Sequence, residues 1–322
     1  MRSSVLGALT FAAMSAVTVA ANAQAVEVRI ASHVSEASPL YENALLFVDE
    51  INKKLPGKFD FGFFPNGQLG KEPALIDNIK LGTLEMGMVG GSVLKLDDKL
   101  GLFDLPWLFK DRAHVVRSVK GELGRQVIAR LEDKQNFIVL GIYESGFRHV
   151  INTKHSIKTP EDMKGLKIRV AGSKYKRDGF AAMGADPVPV AWQETFTAIQ
   201  QGVVDGAEAA LYGHYSANLY EIAENLSLTS HNFGPSFLIM SKAFFAKLSD
   251  EDQKIFRDVA RDMIDEAYAQ AARQEKGYLD KMAAQISVND VDPTPFQVKA
   301  KSVYDTYTSQ FGTDWLDLVR GK

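Results

Sequence analysis

Apolar residues alternate at Val26, Val28 and Ile30, a period that predicts a strand. Ser38-Pro39 then supplies a cap and a proline suited to the first helical position. Leu40, Ala44, Phe47, Val48 and Ile51 recur at helical spacing up to Gly57. Phe59, Phe61 and Phe63 alternate as a second strand, closed by Pro65-Asn66-Gly67. A helix over about 71–81, a strand over 84–89 and a helix over about 113–131 follow. The run Phe137-Ile138-Val139-Leu140 suits a strand covered on both faces. Strand and helix alternate in this way only when helices cover a largely parallel sheet, so the fold class is α/β.

The second half repeats the order. Strands are predicted over 166–170, 186–190 and 203–207, and helices over 174–183 and 192–201. Pro187 and Pro189 place the middle strand at a bend or an edge. Ile79-Lys80-Leu81-Gly82-Thr83-Leu84-Glu85 is echoed by Ile199-Gln200-Gln201-Gly202-Val203-Val204-Asp205, each a helix end, a glycine cap and a strand start. The repetition predicts two similar lobes rather than one large sheet. Beyond Ser249 and Asp252, which resemble a capping box, an apolar face runs from Ile255 to Ala271 and on towards Ser287. At about 1.5 Å per residue that helix spans roughly 57 Å, long enough to cross both lobes, with a kink expected near Gly277.

The 322 residues allow two or three domains, and 46% hydrophobic with 24% charged residues describes a globular chain. A net charge of −3 gives no footprint for nucleic acid. Before Glu27 the only charge is Arg2, an apolar stretch covers 5–20, and small residues flank Asn22 and Gln24. This pattern predicts a secretory signal peptide over residues 1–23, cut after Ala23 or Ala25, and a periplasmic location. A membrane anchor is the alternative, but no basic flank follows the apolar run. The chain has no cysteine, which removes disulfides, thiol catalysis and zinc–thiolate sites.

The histidines show no metal-binding spacing, and no nucleophile elbow, phosphate loop or dinucleotide fingerprint is present. No cofactor or metal is expected. Arg169 interrupts the apolar strand Leu166-Lys167-Ile168-Arg169-Val170, and Ala171-Gly172-Ser173 leads from it into a helix. Ligands of open α/β sheets bind beyond the carboxyl ends of strands, and a guanidinium matches a carboxylate bidentately. A structural partner for Arg169 is the alternative. Arg148, in Glu144-Ser145-Gly146-Phe147-Arg148-His149, is a second candidate where the chain leaves the first lobe. Lys174-Tyr175-Lys176-Arg177 reads as a solvated face.

Four stretches carry a family resemblance: Phe64-Pro65-Asn66-Gly67-Gln68-Leu69-Gly70, Phe103-Asp104-Leu105-Pro106-Trp107-Leu108-Phe109, Met163-Lys164-Gly165-Leu166-Lys167-Ile168-Arg169-Val170, and Ala198-Ile199-Gln200-Gln201-Gly202-Val203-Val204-Asp205-Gly206-Ala207-Glu208. In this order they resemble the solute receptors (DctP family) of tripartite ATP-independent periplasmic (TRAP) transporters. The resemblance implies a two-lobe, type II-like periplasmic binding protein with a long helix spanning both lobes. Its lobes would comprise residues 24–145 with 236–274, and 146–235 with 275–322. It implies that Arg169 binds the carboxylate of a small organic acid and that Arg148 joins the pocket. His33, Glu72 and Ser92 correspond to polar pocket positions. It implies delivery to the small and large permease subunits, driven by an ion gradient, by a monomer that is not an enzyme.

One departure stands out. Sugar-acid and sialic-acid receptors commonly carry an amide where this chain has Ala209, after Glu208. Glu208 and Ala209 are themselves candidate ligand contacts, and Phe147, Trp192, Phe196, Tyr212 and Phe233 are candidates to line that side. The substitution favours a hydroxy or keto acid with an apolar or aromatic body, and a uronate or aldonate receptor is the alternative. An exported enzyme would have to use His33 with Glu72 as its acid/base pair. A receptor feeding a sensor kinase is the remaining reading.

Overall fold

The structure is a computed structural model that describes residues 24–321. The expected signal segment, 1–23, lies outside the described residues. Nine strands form one sheet: β1 (Val26–Ala31), β2 (Phe59–Phe64), β3 (Met86–Val89), β4 (Phe137–Asn152), β5 (Lys167–Val170), β6 (Asp186–Pro189), β7 (Gly206–Ala210), β8 (Asn225–Ser241) and β9 (Ser287–Asp290). Their order is β2-β1-β3-β8-β4-β7-β5-β6, with β9 beside β8. The alternating segments thus form parallel trios, β1–β3 and β5–β7, as the sequence predicts. The prolines of β6 sit on the sheet's edge, where a missing N–H costs no ladder bond.

The two lobes do not have separate sheets. β4 and β8, 16 and 17 residues long, run antiparallel through both and join the trios. β8 escapes a hydrophobic-pattern search because Ser227, Thr229, His231, Asn232 and Ser236 interrupt its apolar residues, yet all five are buried. At the middle of the pair Glu144 lies opposite Pro235 and Gly146 opposite Gly234, which leaves Ser145 in a β-bulge. Gly146 has φ +118°, a conformation closed to other residues.

Each face of the second lobe's sheet has its own core. Val150, Ile168, Val170 and Phe180 pack on one side, and Ile151, Ala207, Ile199 and Leu211 on the other. Adjacent strand residues alternate between them, the pattern of a sheet with helices on both faces. The C-terminal segment differs from its expected place. Phe296 packs in the second lobe, but Val303, Tyr307, Trp315, Leu316 and Val319 join the first-lobe core. Trp315 Nε1 donates to Gln126 Oε1 (2.9 Å), and Tyr307 donates to the Lys99 carbonyl (3.0 Å).

Helix boundaries shift in two further places. The helix expected over 113–131 is two, Arg112–Lys120 and Glu122–Lys134, parted at Gly121. The long C-terminal helix is interrupted at Met263, between Asp250–Asp262 and Ile264–Ala283, and runs unbroken through Gly277. It still passes from the first-lobe core at Tyr268 to the second-lobe core at Met282.

Candidate functional site

β5 places Ile168 and Val170 in one core and turns Arg169, between them, to the opposite face. There its Nε donates to the Val190 carbonyl (2.9 Å), and its guanidinium lies 5.2 Å from the Trp192 ring centroid. The residue is only 4% exposed. Among the described residues no carboxylate comes within 4.0 Å of it, and its two Nη groups donate to none of them. Burial pushes its pKa down to about 10; Glu208 opposes that fall and the like charge of Arg148 adds to it. A buried guanidinium with two free donor groups is ready to donate to one carboxylate.

Arg148 is differently placed. Its Nε bonds the Glu208 carboxylate and its Nη2 donates to the Glu208 carbonyl (2.9 Å), so only Nη1 is uncommitted. Glu208 is fully buried. Burial alone would raise its pKa, but Arg148 and Lys176 outweigh that and hold it well below the usual carboxylate range. It also accepts from the Ala171 N–H (3.3 Å), and His231 Nε2 stands 3.5 Å away. Glu208 therefore anchors Arg148 and the turn after β5. Lys176, expected on a solvated face, is 6% exposed and pairs with Asp104 at 3.0 Å. Its burial four residues before buried Phe180 is the helical signal that marks it.

His33, Glu72 and Ser92 come together in the first lobe, beyond the ends of β1 and β3. Glu72 opens the helix Glu72–Leu81 and accepts from the Gly90 N–H and from Ser92 Oγ (2.7 Å). His33 Nδ1 lies 3.9 Å from Glu72 Oε1. Ser92 thus donates to Glu72 rather than capping a helix. Tyr212 shares a hydrogen bond with Ser145 Oγ across the bulge (3.0 Å).

The apolar candidates divide. Ala209 is buried near Trp192: a Cβ added at Gly213 would lie 3.4 Å from the Ala209 methyl and 3.3 Å from the indole. Phe196 packs against the Ile199 core. Phe233 is a core residue and not a wall, packed between Phe109 (5.6 Å), Tyr268 (6.3 Å) and Phe147 (5.5 Å). Half-buried Phe147 lies with its ring 5.9 Å from the Arg112 guanidinium.

Comparison with known proteins decides the family. Residues 30–310 match DctP, the bacterial extracellular solute-binding proteins of family 7. The chain belongs to the DctP family. A solute-binding protein of Verminephrobacter eiseniae is 33% identical over 277 residues, 85% of this chain and 82% of that one. The 2,3-diketo-L-gulonate-binding periplasmic protein YiaO of Escherichia coli K12 is 31% identical over 271 residues, covering 83% and 82%. The crystal structure of a TRAP periplasmic solute-binding protein from Sulfitobacter sp. NAS-14.1, with bound β-D-galacturonate, is 29% identical. It superposes with a TM-score of 0.85, over 92% of this chain and 100% of that one. The motif resemblance and the two-lobe α/β expectation are thus correct, and this DctP protein is a solute receptor of the TRAP type. Its family is extracellular and serves solute binding for transport. Among the described residues no helix is long and apolar enough to cross a membrane.

Proposed function

We propose that this DctP protein captures a small organic acid between its lobes, with Arg169 as the carboxylate anchor, and delivers it to a TRAP permease. The buried Arg169, with two uncommitted Nη groups and no carboxylate partner among the described residues, carries this reading. Arg148 Nη1 is a secondary contact, while His33, Glu72, Ser92 and Tyr212 offer polar groups to the ligand's other end. Trp192, Ala209 and Gly213 make an apolar surface beside the anchor, which favours a hydroxy or keto acid with an apolar or aromatic body. A sugar acid is the second reading, supported by the galacturonate in the Sulfitobacter relative. The receptor is exported by the signal segment 1–23, acts as a monomer without catalysis, and meets the small and large permease subunits. An ion gradient drives that transport.

A thermal-shift panel of uronates, aldonates, C4-dicarboxylates, hydroxy, keto and aromatic acids tests the reading. A ligand at 100 times its Kd adds roughly 2.7 kcal/mol of stability. A shift from aromatic or branched acids alone supports the apolar surface, and a shift from uronates alone refutes it. No shift from any acid, on protein first unfolded and refolded to remove host ligand, refutes the carboxylate assignment of Arg169.

A further inference from the structure

The bulge at Ser145 is crossed by an ion cluster that lines a cavity with Ser145 and Tyr212. Arg112 opens the helix Arg112–Lys120 in the first lobe, where Asp111 caps that helix by accepting from the His114 N–H (2.7 Å). Its Nε donates to both carboxylate oxygens of Glu144 (2.9 and 2.8 Å), and its Nη2 donates to Glu275. Glu144 is fully buried and is the last β4 residue before the bulge. Phe147, under the same guanidinium, is the second residue after it. Glu275 sits where the helix Ile264–Ala283 crosses between the lobes, between Tyr268 and Met282. It leans over the bend: a Cβ on Gly146 would come 3.9 Å from its Oε1.

One guanidinium therefore touches β4 before the bend, β4 after it and the crossing helix. Glu144 pins Arg112 to the first lobe, and rotation about Ser145–Gly146 displaces Phe147 relative to Glu144. We infer that Ser145–Gly146 is a hinge between the lobes and that Arg112, Glu144 and Glu275 form a latch across it that holds the lobes in the conformation seen here. This rests on the receptor reading, in which the lobes move against each other. The latch sets how often the protein adopts this conformation, and so sets ligand affinity through the population of that conformation.

The absence of cysteine allows a direct test. Leu81 in the first lobe and Val203 in the second are exposed (75% and 53%), so L81C/V203C carries two spin labels. Pulsed dipolar spectroscopy at pH 8, with no ligand added, gives the ratio of this structure's interlobe distance to all others. Loss of a charge-assisted bond in E275Q should lower that ratio roughly tenfold. R112Q should do at least as much. E266Q removes an exposed carboxylate of the same helix, paired with Arg273 at 2.6 Å, and should leave the ratio unchanged. If R112Q does not fold, E275Q decides alone, since Glu275 is partly exposed. An unchanged ratio in E275Q, or an equal change in E266Q, overturns the latch. The acid panel on unsubstituted protein judges the receptor reading separately.

Discussion

Replacing Arg169 by Met should weaken binding strongly while leaving the unliganded fold at least as stable. Burial lowers its pKa to about 10, a shift that corresponds to ~3 kcal/mol against the charged form. Met removes that cost. It also leaves the Val190 carbonyl without its donor, about 1 kcal/mol, and ends the contact with Trp192, about another 1 kcal/mol. The balance is a gain of roughly 1 kcal/mol, or a rise of about 2–4 °C in Tm. Binding moves the other way. Truncating one partner of a desolvated, hydrogen-bonded charge pair costs about 2–5 kcal/mol, roughly 30- to 5,000-fold in Kd. R169K keeps the charge but loses the planar fork, and should bind at least about tenfold more weakly than wild type. Calorimetry with the acid that the panel identifies, beside melting of the unliganded variants, reads both effects. Retained affinity within threefold refutes the anchor. A fall of 5 °C or more in the unliganded R169M refutes the view that Arg169 is kept for ligand rather than for the fold.

Other perturbations probe the frame around the site. Glu144 is raised by burial from 4.5 to about 7, against the pull of Arg112 and with Glu275 adding to the rise. The folded chain then binds the extra proton between those values, so this group's contribution is full below about pH 4.5 and lost as pH rises through 7. Urea unfolding should show E144Q gaining up to ~3 kcal/mol relative to wild type across that interval, and a pH-independent difference contradicts the burial argument. G146A forces a Cβ into φ +118°, 3.1 Å from the Ala210 methyl, and should cost about 1–3 kcal/mol; an unchanged urea midpoint would count against a strained bulge. In G101A the new methyl would sit 2.2 Å from the Tyr175 ring, and a loss of about 1–3 kcal/mol is expected in the same assay. Calorimetry should find monocarboxylates binding more tightly than C4-dicarboxylates of the same length, because a second carboxylate would approach Glu72; equal affinities contradict that placement.

What the sequence reveals and what it hides follow from which residues do the work. β1, β2 and the first turns of β4 are legible because their cores are apolar and periodic. Arg169 is legible because a cation stands where the pattern demands an apolar residue. β8 is hidden because its middle is built from buried Ser, Thr, His and Asn, some of whose partners are remote in sequence: the Asn232 amide donates to the Asp104 carbonyl, and Ser227 Oγ accepts from the Ile157 N–H. Glu208 and Arg148 look like two ligand contacts in the sequence, since nothing local shows that they pair across β4 and β7. Lys176 misleads for the same reason, its partner Asp104 being 72 positions away. The return of the last helices to the first lobe has no local signal either; Trp315 finds Gln126 only in three dimensions.

The charges around β5 and β7 show why one arginine differs from its neighbours. Arg148 meets Glu208, and Lys176 meets Asp104. That set is balanced and buried, with only Arg148 Nη1 left over, as a structural cluster must be to offset the cost of removing ions from water. Arg169 stands outside the balance with its donors unspent. In the first lobe Glu72 accepts from an N–H and a hydroxyl, and among the described residues no Lys or Arg pairs with it, while His33 stands 3.9 Å off. In the proposed site the second lobe would offer the positive charge of Arg169 and the first lobe the carboxylate of Glu72. A ligand bearing a carboxylate at one end and hydroxyl donors at the other neutralises Arg169 and hydrogen-bonds Glu72 only when both lobes reach it. Polarity of that kind couples recognition to closure, because neither lobe alone can satisfy such a molecule.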